Sequence, residues 1–293
     1  MQRPRWSLRR ARTLVGTKFL LIAGLVGFVL FAWLVELVAG LGAVTLGPLL
    51  AAGMAAIPAV FWLGFFYLMD RHEPEPKQLV AGVCVLGALI AAPLADFVQS
   101  QFAPGPALGI AVVSPFAPDR VLHAMLIAGL SQELCKYAVV RYTIYLSHEF
   151  DEPMDGVVYM MACGTGFAVW VNYHRLASQH HEAYLSIASA RAVVTTLAHA
   201  SFAGLLGYVM GRAKFSRRSA LVRGILLMLG LLCAAAFNGQ FTLVVSWVEQ
   251  RGLTQHPWYG VGYAALSASA TFALLWLASQ HLLARSPFRR GPV

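Results

Sequence analysis

The chain has 293 residues, of which 58% are hydrophobic and 12% charged, and its mean hydropathy is +0.65. About a quarter of a soluble domain's residues are charged, so this composition excludes one and leaves no polar stretch long enough for a separate soluble unit. The formal net charge of +9 does not point to nucleic acid. No basic face interleaved with aromatics is present, and the cations cluster at the ends of apolar runs, where anionic lipid heads lie.

Runs of about 20 apolar residues, enough to cross a bilayer, recur from end to end. They predict helices over Phe19–Gly40, Leu46–Met69, Leu79–Gln99, Val121–Tyr145, Gly156–Tyr173, Ala183–Met210, Ala220–Val248 and Val261–Leu283. The fold class is all-α, a polytopic membrane bundle of about eight transmembrane helices. Residues 1–18 form a basic N-terminal segment, 19–284 the membrane domain and 285–293 a basic tail. The first apolar run is longer than a signal-peptide core and no small-residue cleavage site follows, so it reads as a retained helix.

With eight spans, both ends share one side. That side carries Arg3, Arg5, Arg9, Arg10, Arg12 and Lys18, then Arg71 and Lys77, then Arg212, Lys214, Arg217, Arg218 and Arg223, and finally Arg285, Arg289 and Arg290. The other side carries only Arg120, Arg175 and Arg251. Basic loops stay in the cytoplasm, so both termini are expected there. His148–Asp155 is an acidic loop on this otherwise basic side. Asp70–Lys77 is a charged turn stiffened by Pro74 and Pro76.

All four cysteines, Cys84, Cys135, Cys163 and Cys233, fall within spans with no paired metal spacing, and read as small packing residues. Gly164 and Gly166 on the fifth helix, and Gly207 and Gly211 on the sixth, form small faces that let helices approach closely. His174, His180 and His181 lie in or beside a loop and read as solvated, while Asp96 sits near the end of the third helix.

The fourth run carries charge inside a stretch that otherwise reads as membrane-spanning. Gln132, Glu133 and Lys136 lie within it, and Glu133 sits about 18 Å along the helix from Val121, near mid-bilayer. A charge there costs at least a few kcal/mol. Glu133 and Lys136 share a helix face. Two readings stay open: a self-neutralising pair that holds helices together, or a general base or metal ligand in a polar cavity. On the sixth run, Arg191 and His199 are also placed inside the membrane. A glutamate and a histidine on two helices can jointly activate water, or hold zinc with further ligands.

In their joint order these residues resemble the PrsW family of intramembrane proteases, within the wider group of CAAX-processing and bacteriocin-processing membrane endopeptidases. The resemblance runs from about Tyr67 to Gly239. Asp70-Arg71-His72-Glu73-Pro74-Glu75-Pro76 is similar to the family's Asp-x-x-Glu-Pro-Glu-Pro turn, and Gln132-Glu133-Leu134-Cys135-Lys136 occupies the place of its Glu-Glu-x-x-Lys motif. Asp155-Gly156 and Gly166-Phe167-Ala168, followed by Val171-Asn172-Tyr173, resemble its Asp-Gly and Gly-Phe-Ala-x-x-Glu-Asn stretch. Arg191 and His199 resemble its arginine and histidine helix, and Asn238-Gly239 stands where a final His-Gly pair is expected.

The departures fall on polar positions: Gln132 and Val171 replace glutamates, and Asn238 replaces a histidine. Glutamine has glutamate's shape but can neither abstract a proton nor supply an anionic ligand; valine can do neither. Asparagine can still donate to an oxyanion. The resemblance therefore implies an intramembrane protease homologue without peptide-bond hydrolysis, a pseudoenzyme that binds or regulates transmembrane proteins or membrane-anchored regulators in a bacterial plasma membrane. The enzymatic alternative is a working protease that cuts a membrane-anchored regulator with Glu133 and His199, assisted by Asn238 and Asn172 and supported by Lys136, Arg191 and Gln132. A divalent metal such as zinc is expected only in that case. A transporter or channel using Glu133, Lys136 and Arg191 is a third possibility, against which the lack of an inverted repeat weighs.

Overall fold

The computed structural model describes residues 5–70, 75–102, 118–177, 184–250 and 257–284. Arg71, Glu73, His180, His181 and the tail 285–293 lie outside them. The described residues form eight helices and no strand. They are α1 (Arg5–Ala39), α2 (Pro48–Tyr67), α3 (Lys77–Phe102), α4 (118–143), α5 (Pro153–Ala177), α6 (Leu185–Lys214), α7 (Ala220–Gln250) and α8 (Pro257–Leu283). Two of them contain a π turn, at Gly87–Ala91 in α3 and Ala124–Gly129 in α4.

All but α4 are long and apolar enough to cross a membrane, seven in total among the described residues. The exception is the helix that carries Gln132, Glu133, Lys136 and Arg141. It is as long as the others, so polarity and not length sets it apart. Backbone groups in hydrocarbon must be satisfied within the segment, which is why apolar runs of this length become helices and not loops. The molecule is a polytopic helical membrane bundle.

The bundle has a centre and a rim. Nearly every side chain from Met154 to Ala168 on α5 is buried, as is most of α6 from Leu185 to Gly211. These two helices share the most extensive seam in the molecule. Glycines make it possible. A Cβ at Gly207 would run into the Gly156 carbonyl, one at Gly211 into the Pro153 carbonyl, and one at Gly164 into the His199 carbonyl. On the other face of α5, a Cβ at Gly166 would strike the Cys84 carbonyl of α3. The sequence reading of these glycines as close-approach faces holds. By contrast α1, with Phe19, Leu20, Phe31 and Val38 all exposed, lies on the rim.

Candidate functional site

Three helices meet at a polar centre. On α4, the π turn Ala124–Gly129 leads directly into Leu130–Thr143. Ser131 donates its hydroxyl back to the Ile127 and Ala128 carbonyls, satisfying groups that the turn frees. The turn lies flat on α7: a Cβ at Gly129 would overlap the Ala235 carbonyl, and one at Gly239 would come within 2.7 Å of the Ala124 carbonyl and the Met125 Cα. This approach brings Asn238, one residue before Gly239, against Glu133.

Glu133 and Lys136 are fully buried, and Lys136 Nζ lies 2.6 Å from Glu133 Oε1. The same oxygen accepts from Asn238 Nδ2 at 2.7 Å, and that amide also donates to Gln132 Oε1 at 3.0 Å. Lys136 Nζ sits 3.3 Å from His199 Nδ1 on α6 and 4.5 Å from the centroid of the Phe167 ring. An ammonium only donates, so Nδ1 is the acceptor and the imidazole proton lies on Nε2. Phe167 and Phe202 close around His199 at ring-centroid distances of 5.2 and 6.2 Å. Two buried oxygens have no hydrogen-bond partner, Glu133 Oε2 and Asn238 Oδ1.

The centre thus gathers Gln132, Glu133, Lys136, His199 and Asn238 from helices far apart in sequence. It does not gather all the residues expected there. Asn172 is buried on α5 but donates to the Ala192 carbonyl at 3.2 Å and to Thr196 Oγ1 at 3.3 Å, pinning α5 to α6. Val171 packs against the apolar core. Arg191 faces a cleft with Arg175, beyond Thr195. His174 is exposed, with its ring centroid 4.1 Å from that of Trp170, and Asp96 accepts from Trp170 Nε1 at 2.6 Å.

A second polar cluster went unseen in the sequence. Asp70, Glu75, Glu152 and Asp155 are all buried at the end of the bundle where the two acidic turns meet. Asp155 Oδ2, at the third position of α5, reaches back to accept the backbone N–H of Asp151 at 2.7 Å and of Glu152 at 2.8 Å, fixing the chain as it enters the helix. Tyr159 donates its hydroxyl to Glu75 Oε2 at 2.6 Å. Burial pushes the Glu75 carboxyl up to about 7, against the pull of its hydrogen bonds from Asp155 and Tyr159. Lys214 lies close by but donates to the Tyr145 and Phe150 carbonyls, 2.6 Å each. The signal was the acidic loop His148–Asp155 on the otherwise basic side, which weighs little in topology.

An all-helical membrane bundle with a carboxylate, an ammonium, an imidazole and a carboxamide at its buried centre defines an integral membrane protein with a polar site at bilayer depth. Residues 75–276 match the PrsW family of intramembrane metalloproteases, and the chain belongs to that family. It is 38% identical over 168 residues to Protease PrsW of Geobacillus kaustophilus, covering 57% of this chain and 68% of that protein. Against Protease PrsW of Oceanobacillus iheyensis it is 34% identical over 167 residues, 57% of this chain and 69% of the relative. Against that of Bacillus subtilis it is 27% identical over 198 residues, 68% and 83%. No solved structure matches the chain.

Metalloproteases need a set of metal ligands. At the centre only Glu133 and His199 are of ligand type. The Lys136 ammonium contacts both of them, engaging Glu133 Oε1 and facing His199 Nδ1. A cation already fills the position a metal would share, and a third ligand is lacking; catalytic zinc takes three protein ligands. The residues at this centre do not fit a metal. Among the described residues, the one group of three metal-ligand side chains close enough to hold an ion is Asp70, Glu152 and Asp155, at the other cluster.

Proposed function

We propose that this chain is a PrsW-family protein that no longer hydrolyses peptide bonds and uses the intramembrane scaffold to bind transmembrane proteins or membrane-anchored regulators. One observation carries the reading: the Lys136 ammonium lies between the Glu133 carboxylate and His199. A carboxylate neutralised by a buried ammonium at 2.6 Å is a poor base, and a histidine whose Nδ1 accepts from that ammonium cannot take a proton there. Gln132, Val171 and Asn238 supply no replacement base. A general base contributes on the order of 10²–10⁴ in rate, and the remaining groups offer only hydrogen bonds. What survives is the glycine-seamed scaffold, with Asn172 joining α5 to α6. The same reading places the protein in the plasma membrane with both termini in the cytoplasm, on the strength of the basic loop around Arg217, Arg218 and Arg223; reporter fusions at either end test it.

A second reading, an active protease, has one observation in its favour. Glu133 Oε2 is buried and has no hydrogen-bond partner, so one carboxylate oxygen remains to take a proton from water, with Asn238 as oxyanion donor. The two readings separate in a survey of new protein N-termini in host membranes. Three strains are compared: one lacking the protein, one with it unchanged, and one with Gln132→Glu, Val171→Glu and Asn238→His together. The pseudoenzyme reading expects no products from the unchanged protein. Products that need it and vanish with Glu133→Ala would establish the protease instead.

A further inference from the structure

We propose that two copies of this chain associate through the exposed face of α7, with Gln240 hydrogen-bonded to its own counterpart across a two-fold axis along the membrane normal. Gln240 is an exposed carboxamide on the outside of the bundle, and its Oε1 accepts from Ser267 of α8 at 3.1 Å. Among the described residues its side chain makes no other hydrogen bond. An amide has a donor end and an acceptor end, and one hydroxyl satisfies one of them whichever way the amide is turned. The other end faces hydrocarbon.

Helix geometry sets the depth. α7 has 31 residues, about 46 Å at 1.5 Å per residue, against a hydrocarbon core of about 30 Å. With the excess shared, each end projects about 8 Å. Gln240 is ten residues from the end at Gln250, about 15 Å, and so lies about 7 Å inside the hydrocarbon. Ser267, ten residues into α8 from Pro257, agrees. An unmade amide hydrogen bond at that depth is costly, since no water replaces it. Gln240 also belongs to a stripe. Leu229, Cys233, Ala236, Gln240 and Leu243 follow at alternating steps of four and three residues, and none of them is buried. That spacing is the seam of a pair of supercoiled helices, and the small Cys233 and Ala236 let a second helix come close. Of the seven spans, only α1 buries a smaller share of itself than α7.

The amide selects its occupant. Carboxamides are self-complementary: two of them satisfy each other by a reciprocal pair of N–H to carbonyl bonds, and Oε1 keeps a lone pair for this while it accepts from Ser267. A second copy, inserted the same way, brings Gln240 to the same depth by symmetry. A different protein complements it only if it happens to carry a polar group at that level. One polar residue in an otherwise apolar seam of this spacing fixes register and the number of strands. The two α7 helices then run parallel, and each stripe residue meets its own counterpart. Asn238 lies two residues away, about 200° round the helix, so α7 offers one amide to the polar centre and another to the second copy. The association is separate from the chemistry of the centre and holds for a protease as for a pseudoenzyme.

The test reconstitutes the full chain, labelled at its N-terminus with a donor or an acceptor fluorophore, in liposomes of phosphatidylethanolamine and phosphatidylglycerol over a range of lipid dilutions. Energy transfer should report a dimer. Gln240→Leu should weaken it about tenfold, Gln240→Asn should restore most of the loss, and Ala236→Phe should weaken it with the amide intact. The same membranes are then oxidised with copper phenanthroline. Cys233 is the one exposed cysteine of the four and stands one heptad from Gln240, so a disulfide-linked dimer should form and disappear with Cys233→Ser. Met228 is 56% exposed but lies about 140° round the helix from Cys233, and Met228→Cys combined with Cys233→Ser should give no cross-link. Monomers at every dilution overturn the proposal, as does a dimer indifferent to Gln240→Leu or one that cross-links through Met228→Cys in place of Cys233. A Cys233 cross-link to a different membrane protein in host cells, with none between copies, assigns the face to that partner and overturns it too.

Discussion

Replacing Lys136 by methionine removes the counter-charge of a carboxylate that has no access to water. Both groups are 0% exposed and 2.6 Å apart. At an effective dielectric constant near 20 their attraction is about 6 kcal/mol, and burial costs each ion several kcal/mol. The net worth of the pair is therefore small, while the cost of breaking it is large. Lys136→Met should destabilise by about 3–5 kcal/mol. Glu133→Gln combined with Lys136→Met should recover about 2 kcal/mol or more of that loss, because no ion is left stranded. The new amide can also donate to Asn238 Oδ1, which has no partner in the native protein. Unfolding in mixed micelles, followed by circular dichroism, gives both values. A loss below about 1 kcal/mol for Lys136→Met, or a double variant no better than the single one, would refute the stranded-charge account.

Two further outcomes are expected. Gly207→Val pushes a side chain into the Gly156 carbonyl and to 2.8 Å from Met160 Cβ, and should cost about 1–3 kcal/mol or more in the same unfolding assay; Gly224→Ala, with nothing within 4 Å of its new Cβ, should be neutral or stabilising by up to about 1 kcal/mol. Glu75 and Asp155, joined by a hydrogen bond, both hold their protons more tightly folded than unfolded, up to about 7 and about 9, chiefly through burial; their contribution is thus full in acid and lost as pH rises through about 7 and on through about 9. Unfolding measured from acid to about pH 9 should show that fall, and Glu75→Gln with Asp155→Asn should flatten it.

The helices were legible because a bilayer enforces them, and so was the pairing of Glu133 with Lys136, which needs only helical spacing. His199 and Asn238 were reached through motif order, and both stand at the centre. Asn172 and Arg191 came with the same motifs and stand elsewhere. Sequence order placed them on the right helices, but whether a side chain faces α4 or a neighbour depends on rotation, which is fixed by where glycines allow contact. The π turns at Gly87–Ala91 and Ala124–Gly129 each add a residue to a helical turn, shifting every downstream face. No residue pattern announced them. The acidic cluster was missed for a different reason: Asp70 and Glu75 lie about 80 positions before Asp155, and only the folded bundle brings the two turns together.

The three-residue spacing of Glu133 and Lys136 also bears on how the chain enters the membrane. A nascent polypeptide offers its segments in order, and α4 emerges before α6 and α7, which later supply His199 and Asn238. A lone carboxylate at that depth would resist insertion by about 3 kcal/mol. With the ammonium on the same helix, α4 brings its own neutralisation and need not wait for partners still on the ribosome. The centre is then assembled in two stages, the ion pair first and its neighbours from α6 and α7 afterwards. A charge pair split between α4 and a later helix would have tied insertion of the first to synthesis of the second.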